Sequence, residues 1–112
     1  MSRKLKYLLL ALCTLCAVFF GGYLYLVRSN AEALTAAHKR LSAGMSVRQV
    51  LDIMERKEDQ RYEGASIARV LPSDEADRCH YTLVFSNPYY LDPAIYCYFD
   101  ANDKLIAAHR FD

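Results

Sequence analysis

The sequence predicts an α+β protein: an N-terminal transmembrane helix, then two helices packed on a three-stranded antiparallel sheet. Three observations carry this prediction. Residues 7–27 form an uncharged apolar run, and residues 29–57 space their apolar side chains with the period of a helix. Residues 79–111 contain short stretches of alternating apolar and polar side chains, which are typical of strands. Helices that cover one face of an antiparallel sheet form a layered α+β domain.

The apolar run, from Tyr7 to Val27, has the length of a membrane span. Its 21 residues carry no charge, and Thr14 is its only polar residue apart from tyrosine. As a helix with a rise of about 1.5 Å per residue the run measures roughly 31 Å, which matches a hydrocarbon core of about 30 Å. We therefore expect this segment to hold the chain in a lipid bilayer.

The charges that flank the run predict its direction. Three basic residues and no acidic residue precede it: Arg3, Lys4 and Lys6. Basic residues beside a span stay in the cytoplasm. Residues 1–6 are therefore predicted to form a cytoplasmic tail, residues 7–27 the transmembrane anchor, and residues 28–112 an exported domain.

A cleaved signal peptide is the alternative interpretation of the N-terminal segment. Residues 29–31 and residues 31–33 place small side chains where a signal peptidase needs them. The apolar part of such a peptide usually has about 7–15 residues, however, and this run is longer and is followed by Arg28. A leucine directly precedes both Cys13 and Cys16, which argues against lipidation. The sequence favours an uncleaved anchor.

A stripe of small residues runs along the predicted span. Cys13, Ala17 and Gly21 recur at every fourth position and share one helix face. Because small side chains let two membrane helices approach closely, the stripe predicts a homodimer through this helix.

Two amphipathic helices are predicted after the span. The first covers residues 29–43 and could continue directly from the span, since nothing breaks the chain at Arg28. The second runs from Val47 to about Lys57. Its start carries a capping box and a hydrophobic staple, formed by Ser46 with Gln49 and by Met45 with Val50.

Three strands are predicted to follow, over residues 79–86, 94–100 and 105–111. Residues 100–103 form a turn between the last two, and the prolines at 88 and 93 confine residues 87–92 to a loop. Residues 62–71 are left open as a further strand or an irregular segment. Acidic residues of a loop before the first strand are predicted to be solvated: Asp74, Glu75 and Asp77.

Two segments resemble the SmpA/OmlA (BamE-like) family. Residues 41–46, Leu-Ser-Ala-Gly-Met-Ser, with Val50 and Met54, are similar to the family's first motif, and residues 98–105 are similar to its last hairpin. The resemblance covers roughly residues 41–111. It implies an envelope protein of Gram-negative bacteria with two helices on a three-stranded sheet.

Two departures from the family shape the expected location. The Gly-x-Pro that follows helix two is replaced by Glu55-Arg56-Lys57, and no lipidation signal is present. We therefore expect an inner-membrane protein held by its helix, with the domain in the periplasm. In that oxidising compartment Cys79 and Cys97, on neighbouring predicted strands, are candidates for a disulfide.

The sequence predicts no enzyme, cofactor or metal site. His38, His80 and His109 lack the spacing of metal ligands, and no nucleophile motif or phosphate loop occurs. Residues 28–112 contain 11 Lys or Arg and 13 Asp or Glu, so this acidic balance argues against nucleic-acid binding.

A pair of tyrosines is the strongest candidate for partner binding. Tyr89 and Tyr90 lie in the loop between the two prolines, and tyrosine is enriched at protein interfaces. The expected function is a membrane-anchored module that binds an envelope protein, in envelope assembly or maintenance. The alternative is a periplasmic inhibitor or immunity-type protein that blocks a secreted enzyme or toxin.

Overall fold

The computed structural model describes residues 2–88 and 93–111, which form three helices and one four-stranded antiparallel sheet. The strands follow each other in the order β1-β2-β3-β4, as a meander. The elements in chain order are α1 (Arg3–Arg40), α2 (Val47–Met54), β1 (Gln60–Glu63), α3 (Ser73–Arg78), β2 (Tyr81–Ser86), β3 (Ala94–Phe99) and β4 (Leu105–Phe111).

The α+β class is confirmed, but the sheet has four strands and not the three that the sequence predicts. The additional strand, β1, pairs with β2 from Gln60 opposite Val84 to Glu63 opposite Tyr81. All four of its side chains are exposed, so the alternation that reveals a half-buried strand is missing.

A short helix stands where the sequence predicts an acidic loop. α3 begins after Pro72, has Asp74 and Glu75 in its first turn and Arg78 in its last, and buries none of its own residues. This charge order suits the dipole of a helix. At six residues, α3 is too short for a periodic pattern to be visible in the sequence.

The predicted span and the first amphipathic helix are one unbroken helix. α1 has 38 residues, begins at the N-cap Ser2 and ends at the C-cap Leu41. By length and composition it can cross a membrane, and none of its most apolar window is buried against the described part of the chain. Its second half does enter the core, through Leu34 and Ala37.

The core has two parts, one on each face of the sheet. The cluster on the helix side joins α1 and α2 to β2, β3 and β4, and its largest fully buried side chains are Phe85, Phe99, Leu83 and Ile95. The cluster on the α3 side is smaller and consists of Ala68, Leu71, Cys79, Tyr98 and Ile106. The domain therefore has three layers, with α1 and α2 over one face and residues 68–79 over the other.

The capping box at the start of α2 is present as predicted. Gln49 N–H donates to Ser46 Oγ at 3.2 Å, and Ser46 N–H donates to Gln49 Oε1 at 2.9 Å. Met45 and Val50 both belong to the helix-side core. The helix ends at Met54, three residues before the predicted end, because Glu55 adopts a left-handed conformation with φ 58°.

Glycine at position 55 should stabilise the domain. A side chain with Cβ costs about 1 kcal/mol in the left-handed region, and glycine avoids this cost. We expect Glu55→Gly to raise the free energy of unfolding by about 1 kcal/mol in urea denaturation. Glu55→Ala is the matched control, since it removes the same carboxylate but keeps Cβ. A glycine variant no more stable than the alanine variant would show that position 55 carries no strain.

Candidate functional site

Two surfaces of the domain bring functional side chains together, and the first is a groove between α1 and α2. This α1–α2 groove has a volume of about 360 Å³. Apolar side chains from both helices line it, among them Ala33, Ala37 and Ile53. Its charged lining residues are Arg40, Glu55 and Arg56. A concave surface with an apolar floor and a cationic rim can take an apolar side chain that stands beside a carboxylate.

Arg56 ties the groove to the end of β2. Its Nη2 donates to Asp59 Oδ2 at 2.7 Å and also to the carbonyl oxygen of Ser86. Asp59 Oδ2 in turn accepts from the backbone N–H of Ser86 at 2.6 Å. One guanidinium and one carboxylate thus fix the end of β2 beside the C-terminal end of α2.

The second surface is the end of the sheet that faces the predicted span. Asn87 follows β2, is only 4% exposed, and donates from Nδ2 to the carbonyl oxygen of Val27 at 2.7 Å. Val27 is the last residue of the apolar run. A buried amide therefore joins the sheet to α1 at the point where the apolar run ends.

β4 runs along α1 toward the same end. His38 Nε2 lies 3.0 Å from the carbonyl oxygen of Ala108, near the far end of α1. Two residues on, Arg110 lines a concavity together with Arg28 and Glu32 of α1. The strand thus ends close to the predicted bilayer boundary.

The structure places Cys79 and Cys97 apart, both as free thiols, and so gives the predicted disulfide no support. Cys79 caps α3, where its N–H donates to the carbonyl oxygen of Ala76, and it does not begin the strand that the alternation suggested. Cys79 is buried in the cluster on the α3 side, whereas Cys97 is buried in the cluster on the helix side. The two thiols therefore lie in different parts of the core.

Burial of Cys97 predicts sensitivity of the fold to alkali. Burial raises the pKa of this thiol from 9.0 to about 12. Because the folded-state pKa lies above the unfolded one, the stabilisation is complete below pH 9 and is lost as the pH rises toward 12. We expect about 1 kcal/mol of unfolding free energy to be lost by pH 10 through this thiol. Burial also raises the pKa of Tyr98 to about 12, which acts in the same direction.

Urea denaturation at pH 8 and pH 10 measures this loss. Between the two pH values, Cys97→Ala should lose about 1 kcal/mol less unfolding free energy than the unaltered chain. Cys16→Ala, at an exposed thiol of α1, should leave the loss unchanged. An equal loss in the Cys97→Ala variant would assign the alkaline instability to other groups.

The remaining predicted site residues belong to two segments, residues 89–90 and the apolar half of α1. Tyr89 and Tyr90 lie outside the described residues, so the partner-binding prediction for them stays a prediction. Cys13, Ala17 and Gly21 are exposed along α1, as lipid- or helix-facing residues of a span would be. Within residues 2–88 and 93–111, no group of three or more His, Cys, Asp or Glu side chains is arranged to hold a metal ion.

Asn87 and Arg56 are the candidate-site residues that sequence reasoning missed. Asn87 meets a partner 60 positions away, and Arg56 one 30 positions away. No local pattern signals such contacts.

Comparison of the chain with protein-family models, with curated proteins and with solved structures gives no match.

Proposed function

We propose that the chain is a membrane-anchored, non-enzymatic module that binds another protein of the cell envelope. In this proposal α1 crosses the inner membrane once, with its N-terminus in the cytoplasm and the α+β domain in the periplasm. The relationship to the SmpA/OmlA (BamE-like) family belongs to the same proposal. It is supported by the capped α2 at Ser46 and by the turn between β3 and β4.

The observation that carries the proposal is the division of α1 into two unlike halves. The apolar half has large exposed side chains, such as Phe19 at 70% and Phe20 at 64%, that the described chain does not cover. The other half contributes Leu34 and Ala37 to the core. A bilayer covers the first half at no cost in packing, since its hydrocarbon is as apolar as the side chains.

The junction of the two halves supports an uncleaved anchor. Both candidate cleavage sites, in residues 29–33, lie inside the unbroken helix. Cleavage there would remove Val27, the partner of Asn87, and would leave Leu34 close to a frayed helix end. Retention of the anchor keeps the 2.7 Å hydrogen bond between the Asn87 side chain and the carbonyl oxygen of Val27.

The α1–α2 groove is the described surface that suits a protein partner best. It lies on the domain half of α1, clear of the apolar half, and Arg40 and Arg56 line it together with a single carboxylate, that of Glu55. We assign it to a partner segment with an apolar side chain next to an acidic one. The loop with Tyr89 and Tyr90 is a second proposed contact.

Photo-crosslinking in intact cells tests this function. A photoreactive residue at Ala36, which lines the groove, should trap an envelope protein, and so should one at Tyr89. Ala101 is the matched control, because it is also an exposed alanine but lies in the turn between β3 and β4. If the photoreactive residues at Ala36 and Ala101 trapped the same proteins in equal amounts, a partner bound in the groove would be contradicted. A secreted enzyme or toxin as the trapped partner would favour the inhibitor over the assembly role.

Protease accessibility tests the location. In spheroplasts with an intact inner membrane, added protease should digest the domain of the intact anchored protein, and membrane fractions should retain an N-terminal fragment. A domain protected until the membrane is dissolved would reverse the proposed direction of α1. A soluble periplasmic domain that begins after residue 31 would show a cleaved signal peptide.

Substitutions at two adjacent glycines, Gly21 and Gly22, test whether the chain dimerises through α1. A Cβ at Gly21 or at Gly22 meets no atom within 4 Å in the single chain, so both positions accept a larger side chain equally. Gly21→Leu fills the stripe with Cys13 and Ala17 and should weaken association in a membrane two-hybrid assay by several-fold. Gly22→Leu, about 100° around the helix, should not. Equal association of both variants would contradict a dimer through this stripe.

A further inference from the structure

We propose that the end of the sheet formed by Ser86, Ala94 and Phe111 rests on the bilayer that α1 crosses. In this arrangement the Phe111 ring lies in the headgroup layer, and Arg28 and Arg110 reach lipid phosphates. The partner is the surface of a phospholipid bilayer. The inference rests on the proposed membrane anchor and adds a fixed contact between domain and lipid.

The bond between Asn87 and Val27 gives a first estimate of the height of this end. The register of the sheet places Ser86 opposite Ala94, and Ala94 opposite Phe111, in one row across three strands. Asn87 is the next residue after Ser86 and reaches the Val27 carbonyl oxygen at 2.7 Å. At about 3.3 Å per strand residue, the row stands roughly 3 Å beyond the end of the apolar run.

The contact between His38 and Ala108 gives a second, independent estimate. His38 stands eleven residues after Val27 on α1, which is about 16 Å along the helix. Phe111 stands three residues after Ala108 on β4, which returns about 10 Å toward the bilayer. The difference places Phe111 roughly 6 Å beyond the apolar run, in agreement with the first estimate.

These heights fall inside the polar layer of a membrane. A bilayer of about 40–45 Å with a hydrocarbon core of about 30 Å has roughly 5–8 Å of headgroup region on each side. Arg28 directly follows the apolar run, and Arg110 is adjacent to Phe111 and lines the same concavity as Arg28. Both guanidiniums are therefore at the level of the phosphates.

The side chains at this end suit such a layer. Phe111 is 38% exposed and packs against Tyr96, with ring centroids 4.8 Å apart at an angle of 66°. His109 continues the aromatic group, 6.3 Å from Phe111. Tyrosine rings are enriched at membrane interfaces, and long arginine side chains near the end of a span extend to the interface. Since Glu32 pairs with Arg28 at 3.4 Å, the surface fits zwitterionic phospholipids and does not require anionic ones.

Tryptophan fluorescence tests the contact without background, because the chain contains no tryptophan. Phe111→Trp and Tyr62→Trp are matched reporters, since both side chains are 38% exposed and both lie on the sheet. Tyr62 pairs with Thr82, four residues from Ser86, and so stands about 13 Å farther from the bilayer. The full chain is reconstituted into phosphatidylcholine vesicles that contain lipids brominated near the top of the acyl chains.

We expect the Phe111→Trp emission to be quenched at least twofold more than the Tyr62→Trp emission. Pro88→Trp, next to Asn87, is a second reporter of the same end and should behave like Phe111→Trp even if that variant folds poorly. If the protein floats with the vesicles but all three tryptophans are quenched equally, this inference is wrong. The proposed function as a membrane-anchored interaction module would still stand. Failure of the protein to float with vesicles would overturn both.

Discussion

Glu32→Pro is expected to break α1 between its two halves and to destabilise the domain by about 3 kcal/mol or more. Proline removes the helical hydrogen bond to the carbonyl of Arg28, and its ring clashes with that carbonyl. The break falls just before Leu34 and Ala37, which α1 contributes to the core. Urea denaturation in detergent micelles, followed by the near-ultraviolet circular dichroism of tyrosine, measures the loss.

Glu32→Ala is the control for this variant. The alanine variant removes the ion pair between Glu32 and Arg28 and leaves the helix intact. The Arg28 side chain is 84% exposed and the Glu32 side chain 71%. An exposed pair contributes about 0–1 kcal/mol. If proline and alanine at position 32 gave the same stability, the continuity of α1 would be irrelevant to the domain.

The second large effect is expected from Phe85→Ala. Phe85 is completely buried in β2 opposite Ile95 and is among the largest fully buried side chains in the core. Truncation of a buried phenylalanine costs about 3–5 kcal/mol, which is a large share of the roughly 5–10 kcal/mol that stabilise a domain of this size. We expect the midpoint of thermal denaturation to fall by at least about 10 °C.

Phe19→Ala supplies the comparison for this truncation. Phe19 is 70% exposed in the apolar half of α1, so its loss leaves the core of the domain unchanged. We expect the domain of this variant to unfold at the same temperature as the unaltered protein. A Phe85→Ala variant that lost less than about 1 kcal/mol would mean that the core closes over the missing ring.

The elements that the sequence predicted well are those whose signals are local. β4 occupies residues 105–111 as predicted, and β2 and β3 differ from their predicted bounds by only one or two residues. α2 starts where Ser46 and Gln49 cap it. In each of these elements, side chains within a few positions of one another determine the structure, so periodicity and capping suffice to identify it.

The elements that the sequence missed or left open depend on distant residues. β1 is polar and exposed, and it is held by its ladder with β2 and by the Arg61 guanidinium, 4.2 Å from the ring centroid of Tyr81. α3 lies over the sheet through Ala76, which packs against the cluster of Tyr98 and Ile106. Tertiary contacts override weak local preferences in both elements.

The same distinction explains the candidate site. The thiols of Cys79 and Cys97 looked like neighbours because the alternation was extended back to residue 79, where the chain is still completing α3. The contact between Asn87 and Val27 has no sequence signal, because a polar loop residue gives no sign of its burial. Register and loop placement decided both outcomes, and neither is a property of a short segment.

If α1 crosses a bilayer as proposed, its unbroken course lets the thickness of the membrane determine where the domain points. A span that is longer than the local hydrocarbon core accommodates by tilting, on average by about 20°. From Val27 to Arg40 the helix projects about 20 Å out of the apolar run, so a tilt of this size carries its far end roughly 7 Å sideways. Because no hinge separates the two halves, the α1–α2 groove moves with that end, and its reach depends on the lipids around the anchor.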